Sequence, residues 1–325
     1  MTPALTSIAS LLYGDVEVFF VNAIYDLRCA PITFDFCNYL AIVYMVSRYH
    51  KADRFNLTIR ADSFRNSTPR EKTYSIHDRN WRLSNLLIEV AKSCSAVSNL
   101  CVSRDEQLEN RLTVNQVPVG YDFVRRSGIP YLLSQAKQAY LHTNVRPVLF
   151  APSPYASRVA ETLVGTEPFI TITLRQASFD TARNCNLNEW ALAMEDFSKV
   201  HNLKVIVIPD QDDALSGRQV FSKNWLVLEY AAFSLDLRLA VMSRAVENFV
   251  SSGGMAAPLW YSNIRYVMFN IVHEGHYVAD KNYLKNSAGL SIGESLAWAE
   301  ANQCFEWEHL DPFSLISKYT SKFVS

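Results

Sequence analysis

Two segments of this chain place arginine and hydroxyl side chains where an apolar run ends. Arg175 follows the run Phe169 to Leu174 and opens a polar loop that holds Asp180, Arg183 and Asn184. A guanidinium in that position can fork onto two phosphate oxygens, and the amino terminus of a following helix adds positive potential. A solvated arginine, or a structural pair with Asp180, uses the same residues. The second segment is Ser251-Ser252-Gly253-Gly254, between the strand-like Asn248 to Val250 and a helix beginning at Met255. Hydroxyls and glycines let backbone N–H groups approach an anion closely, although a plain helix-start turn has the same composition. There is no G-x-G-x-x-G and no Walker sequence, which speaks against dinucleotide and ATP sites.

Three further groups are candidates. Asp210, Asp212 and Asp213 in PDQDD follow another apolar run and would bind a ribose hydroxyl or a metal ion, or be solvated turn residues. Asp26 and Arg28 lie in the first loop, Asn22 to Asp35, where a carboxylate can serve as general base toward a hydroxyl, cap a helix or pair with an arginine. His273, Glu274 and His276 form a third cluster, and Gln303 between Trp298 and Trp307 reads as core or as a pocket wall. The absence of H-E-x-x-H and G-x-S-x-G leaves a zinc protease or a serine hydrolase elbow without support.

Apolar runs of strand length alternate with helical patterns, as in α/β layering with parallel sheets. Val16 to Asn22, Phe55 to Ile59 and Leu100 to Val102 read as strands, and Thr33 to Tyr49 and Arg79 to Ala91 as helices with one apolar side. Between about residues 115 and 165 prolines and glycines weaken the pattern, which predicts a linker and domains over 1–150 and 151–325. In the second half Phe169 to Leu174, Lys204 to Ile208, Asn248 to Val250 and Tyr266 to Asn270 read as strands. Helices are expected from Leu187 and over Leu235 to Val246.

With 49% hydrophobic and 19% charged residues in 325, the chain can bury sizeable cores. A formal net charge of −1 supplies no global pull toward nucleic acid. Six scattered cysteines without a C-x-x-C pair speak against a zinc ribbon or disulfide framework. No basic leader and no long uncharged apolar stretch is seen, so a soluble, cytoplasmic protein is expected.

Ile172 to Arg175 (ITLR) and Val250 to Gly254 (VSSGG) make the second half resemble the donor domain of GT-B glycosyltransferases of the α-1,6-fucosyltransferase, NodZ-like and protein O-fucosyltransferase group. There a strand ends in H-x-R-R-x-D, whose Arg holds the diphosphate of a GDP-sugar. Here Thr173 replaces the His, Gln176 the second Arg, and Asp180 is displaced. The chain also looks like proteins associated with bacterial surface-polysaccharide synthesis, through D-x-R-x-x-P-x-T-F-D at Asp26 to Asp35 and G-L-x-x-G…W-A…N-Q…W at Gly289 to Trp307. These resemblances imply two Rossmann-like domains facing across a cleft. They imply inverting, metal-independent transfer from a nucleotide diphosphate sugar, with a GDP-fucose-like donor favoured as co-substrate and no other cofactor. The acceptor would be a hydroxyl of a glycan or glycolipid, which suits a protein peripheral to the inner membrane. Arg175 and Arg183 would neutralise the departing diphosphate and Asn184 would join them in donor binding. Ser251, Ser252 and Gly253 would bind phosphate or ribose, Asp210 the nucleoside, and Asp26 would be the base. A non-catalytic scaffold that has lost the donor grip, and an epimerase or hydrolase of the same pathway, are the alternatives.

Overall fold

The computed structural model describes residues 21–104, 115–119, 121–122, 124, 128–200, 203–216 and 225–321. Within the chain there are two compact units, Met1–Phe150 with Ser287–Gly289, and Ala151–Asn286 with Leu290–Ser325.

In the first unit, β1 (Val21–Asp26), β2 (Phe55–Arg60), β3 (Val97–Ser103) and β4 (Gln116–Val117) form a parallel sheet in the order β3-β2-β1-β4. The part of the expected first strand before Val21 lies outside the described residues. The described strand runs on to Asp26, so that residue is a strand end rather than a loop residue. The helix Phe36–Tyr49 covers the sheet, and its Tyr39 hydroxyl donates to the carbonyls of Ile24 (2.7 Å) and Val117 (3.1 Å), tying β1 to β4. The expected helix Arg79 to Ala91 is two α-helical pieces, Ile76–Arg82 and Ile88–Ser93, around a π segment, Leu83–Leu87.

The stretch read as a linker is structured. It contributes β4 and the helices Leu133–Thr143 and Pro154–Val164. The prolines that suggested a linker serve partly as helix starts: Pro154 is the first residue of its helix behind the Ser153 cap, where a missing N–H costs nothing. Gly289, at φ +71°, sits against the helix Leu133–Thr143, where an added Cβ would stand 3.3 Å from that of Ser134.

Among the described residues the second unit holds six parallel strands: β5 (Phe169–Thr173), β6 (Lys204–Val207), β7 (Leu226–Val227), β8 (Glu247–Ser251), β9 (Tyr266–Phe269) and β10 (Gln303–Phe305). Their order is β10-β9-β8-β5-β6-β7. Counted from β5, this is 3-2-1-4-5-6, the doubly wound order of dinucleotide-binding sheets. The short β7 and β10 were not expected, because two or three residues make too brief a pattern to read. β5 and β8 are buried along their whole length, which explains why β5 reads as a continuous apolar run rather than an alternating one. One face packs Ile170, Ile172, Phe249 and Val267 against Trp190, Met194 and Phe197 of the helix Leu187–Val200 and Leu315 and Ile316 of the helix Pro312–Thr320. The opposite face carries a buried polar link. The Thr171 hydroxyl donates to Asn248 Oδ1 (2.5 Å), and the Asn248 amide reaches the carbonyls of Met242 and Arg265, both at 2.9 Å.

Candidate functional site

Winding direction reverses between β5 and β8, and a doubly wound sheet leaves a crevice outside the carboxyl ends of its strands at that point. Register pairs Thr173 of β5 with Val250 of β8, so the Arg175 loop and the Ser251–Gly254 turn emerge side by side. They are bonded: the Arg175 N–H donates to Ser251 Oγ at 2.6 Å, and that hydroxyl donates to Thr173 O at 3.2 Å.

Beyond the strand ends, the loop folds around one guanidinium. Arg175 is 9% exposed. Its Nη1 donates to Asp180 O (2.9 Å) and to the side-chain carbonyl of Asn184, and its Nη2 donates to Phe179 O (2.9 Å). The Asp180 carboxylate stands 3.9 Å away. Much of the donor capacity of this arginine, expected to face a diphosphate, holds the loop in shape. Asn184 serves the same loop: its Oδ1 also accepts from Ala177 N (3.1 Å) and its Nδ2 donates to Ala177 O (2.9 Å).

The second cation faces the other way. Arg183 Nη2 donates to Ser252 Oγ at 3.2 Å and to Ser252 O at 3.4 Å, joining the loop after β5 to the turn after β8. Its Nη1 is 3.7 Å from Asp180, whose carboxylate also accepts a hydrogen bond from His276 Nε2 at 2.6 Å. Asp180 occupies the left-handed region at φ +64°, which Asp tolerates better than most residues. Among these groups two guanidiniums share one carboxylate. His273 joins them through Asn270 O (3.2 Å), and burial, then the nearby Arg183 charge, hold its imidazole below the ordinary range. Glu274 does not join: it pairs with Lys281 at the surface.

The turn itself departs from expectation in one respect. Gly254–Ala256 is a 3-10 turn followed by a helix of four residues, Ala257–Trp260, too short to focus a macrodipole. Gly253 is fully extended at φ −177°, and a Cβ there would make ordinary contacts with the Arg175 stem and Ser251 O, both at 3.8 Å, so its glycine is not required by backbone conformation.

Asp210 lies just past β6. Its carboxylate accepts from Gln176 N (3.2 Å) and Gln211 N (2.8 Å), stitching this strand end to the Arg175 loop. Asp213 is buried in the helix Gln211–Ser216, and the side chain of Asp212 lies outside the described residues. Among the described residues no three His, Cys, Asp or Glu side chains are grouped to hold a metal ion.

Arg238, which drew no attention in the sequence, is 1% exposed behind this strand end. It donates to Pro209 O (3.1 Å) and Ala231 O (3.0 Å), and burial pushes its pKa down to about 10 against the opposing charge of Asp210. The signal was available: LDLRLAVMSR sets an arginine in the middle of an apolar helix. Gln303 and Trp298 are buried and take the core role, the first of the two readings of this segment. The Gln303 amide donates to Ser262 O (2.9 Å) and Ile264 O (3.0 Å), and the indole of Trp298 donates to Trp260 O at 2.7 Å.

In the first unit the equivalent reversal lies between β1 and β4, and Asp26 stands there with 0% exposure. Arg28 donates to both carboxylate oxygens, through Nε to Oδ1 (2.9 Å) and through Nη2 to Oδ2 (2.5 Å), and its backbone N–H adds a bond of 3.0 Å. Tyr121 donates its hydroxyl to Oδ2 at 3.0 Å. Both oxygens of this buried carboxylate, the expected base, are bonded by groups of its own unit, as in a structural ion pair. Burial holds the adjoining Cys29 thiol up at about 11.

No protein-family model and no curated protein matches the chain. Among solved structures it is similar to the E. coli ADP-heptose LPS heptosyltransferase II, with 10% identity, TM-score 0.49, and 94% of this chain and 99% of that one covered. It is similar to a family 9 glycosyl transferase from Veillonella parvula DSM 2008, with 9% identity, TM-score 0.48, and 78% and 81% covered. A third likeness is to the NodZ α-1,6-fucosyltransferase co-crystallized with GDP, with 11% identity, TM-score 0.34, and 78% and 96% covered.

Proposed function

We propose that this chain is a glycosyltransferase that draws its sugar from a nucleoside diphosphate sugar bound at the reversal point of the second sheet. The observation that carries the reading is Arg183 Nη2 on the Ser252 hydroxyl, which places a guanidinium, two serines and exposed turn backbone at adjoining strand ends. As the sugar's bond to the diphosphate breaks, negative charge grows on the departing oxygen, and a fixed cation there stabilises it more than it stabilises the bound donor. Arg183, Ser251, Ser252 and Gly253 would meet the phosphates. Arg175 and Asn184 would act one step back, by fixing the loop that carries Arg183. Asp210 would face the nucleoside with Arg238 behind it.

The motif resemblance favours a GDP-fucose-like donor, inverting chemistry without a metal ion, and a hydroxyl acceptor on a glycan or glycolipid in cytoplasmic surface-polysaccharide synthesis. Among the described residues no helix is long and apolar enough to cross a membrane. Calorimetry with GDP, ADP and UDP tests the reading. One of them should bind, and Arg183→Ala should weaken it at least tenfold with the fold intact; unchanged affinity rejects the assignment. The engagement of Arg175 by its own loop favours a second reading, a scaffold without donor binding. A nucleotide at 100 times its dissociation constant adds about 2.7 kcal/mol of stability, so a flat thermal-shift screen would select the scaffold.

A further inference from the structure

We propose that His273 reads the sugar of the bound donor: its Nδ1 accepts a hydrogen bond from a hydroxyl of the sugar whose diphosphate lies on Arg183. The proposal rests on the glycosyl-transfer reading and assigns the sugar end of that same site, wholly within the second unit.

Strand order says where a sugar would lie. Along the carboxyl edge of the second sheet the neighbours run β9, β8, β5, β6. Asp210 lies just past β6, and Arg183 and Ser252 bridge the ends of β5 and β8. A donor with its nucleoside at the first place and its diphosphate at the second extends its sugar toward β9. The loop that leaves β9 carries His273, and it is tied to the phosphate side at two points: Ser252 N donates to Phe269 O (2.8 Å), and the Asn270 side-chain amide donates to Arg183 O (3.5 Å). His273 is half-buried there. Its loop holds it by the backbone, His273 N donating to Ala279 O (2.9 Å) and His273 O accepting from His276 N (3.1 Å).

The partners of the two histidines in this loop set their tautomers. A backbone carbonyl only accepts, so the bond of His273 Nε2 to Asn270 O (3.2 Å) puts the proton on Nε2 and leaves a lone pair on Nδ1, which has no bond among the described residues. A backbone N–H only donates, so His276 Nδ1 accepts from Val278 N (3.3 Å), and its Nε2 carries the proton given to Asp180 (2.6 Å). His276 is thereby occupied in holding the loop after β5, while His273 keeps an acceptor to offer. Its charged and titratable neighbours are Arg183 and Asp180 of that loop and His276 of its own. Burial first, then Arg183 and then His276, favour the neutral imidazole against the opposing pull of the Asn270 bond and Asp180. A neutral acceptor beside a guanidinium suits a phosphate ester that carries a hydroxyl nearby, and a bare phosphate engages only the cation.

The bond is open to a nucleotide sugar and closed to the bare nucleoside diphosphate, so His273 shows in the ratio of the two affinities. One neutral hydrogen bond changes that ratio roughly threefold to tenfold. An imidazole that only braced the loop after β9 would move both affinities together.

Wild type, His273→Asn and His273→Gln are to be compared by calorimetry with GDP and GDP-fucose, ADP and ADP-glucose, and UDP and UDP-glucose. The asparagine amide sets its oxygen where Nδ1 stands and gives up the bond to Asn270 O. The glutamine amide sets its nitrogen where Nε2 stands and gives up the acceptor. Wild type should bind one nucleotide sugar more tightly than the matching nucleoside diphosphate. His273→Asn should keep most of that preference, and His273→Gln should lose it by roughly threefold to tenfold while binding the bare nucleotide within about twofold of wild type. A bracing role predicts the reverse order of the two variants, with Tm falling alongside. The proposal is overturned by a glutamine variant that keeps the preference, by one whose affinity for the bare nucleotide falls as much as for the sugar form, or by a wild type that binds a nucleotide no better with its sugar attached. A wild type that binds no nucleotide and no nucleotide sugar removes the glycosyl-transfer reading itself, which separates the two failures.

Discussion

The two sheets of this protein reverse direction in the same way, β1 beside β4 in the first unit and β5 beside β8 in the second, yet the two strand ends are finished differently. At the first, an arginine lies on a fully buried aspartate and a tyrosine closes the rest, so charge is neutralised within hydrogen-bond distance. At the second, guanidiniums lean on neutral acceptors, the carbonyls of Phe179, Asp180 and Ser252 and the Asn184 amide, while the Asp180 carboxylate stays 3.7 to 3.9 Å away. A cation held by neutral dipoles keeps its long-range field, and one in a bidentate ion pair does not. The same topology therefore yields a close bidentate ion pair in one unit and, in the other, guanidiniums held chiefly by neutral acceptors.

The largest expected effect breaks the closed end. Asp26→Ala leaves a buried guanidinium and the Tyr121 hydroxyl without their carboxylate, and urea unfolding should show a loss of about 3–5 kcal/mol. A nearly stable Asp26→Ala that has lost turnover would return the carboxylate to a chemical role. The open end should behave in the opposite sense. Arg183→Met should change stability by about 1 kcal/mol or less, since its ion pair is long and partly solvated, yet weaken nucleoside diphosphate binding by about 10- to 100-fold. Asn184→Ala sits between them. Freeing the loop from its amide staple should cost about 1–2 kcal/mol and lower nucleotide affinity indirectly, and Asn184→Asp should recover only part of that loss, because it keeps the acceptor for Arg175 but not the donor to Ala177 O.

The smallest effect is in acid. His273 has a folded pKa below that of the unfolded chain, so protonation favours unfolding, and its contribution is lost as pH falls from the unfolded value, near 6.5, toward the folded one. Asp62 and Glu71 in the first unit are held low; burial raises each, and the hydrogen bonds and charges of Arg60 and Arg65 overcome it. Their contribution persists above the unfolded carboxylate pKa, near 4, and is lost only below it. Tryptophan fluorescence during acid titration should therefore show the second unit weakening first, and His273→Asn should remove that early phase. Simultaneous weakening of both units in the His273→Asn protein and in wild type alike would deny the distinction.

Much of the architecture was legible because long apolar runs are hard to mistake. Phe169 to Thr173 and Lys204 to Val207 are flanked by helical patterns long enough to show their period. The two- and three-residue strands β4, β7 and β10 carry no period, and the proline-rich middle hid two helices behind residues that also suit helix starts. At the site, residue types located the right strand ends but not the direction of the side chains. Arg175 was legible as a cation at a strand end; that Phe179, Asp180 and Asn184 close on it depends on the path of a nine-residue loop.

By itself the sequence determined the class of layering, the strands that form the centres of both sheets, and the concentration of arginine, serine and aspartate at their carboxyl ends, because hydrophobic period and turn chemistry are local properties. Only the tertiary structure decided which of those charges are spent on each other. Asp26 and Asp35 lie in one short segment, and their types and neighbours look interchangeable. One became a buried ion pair and the other an exposed carboxylate with an uncommitted oxygen. Hydrogen-bond saturation depends on contacts made across the chain, as Tyr121 does to Asp26 from 95 residues away, and no local pattern encodes it.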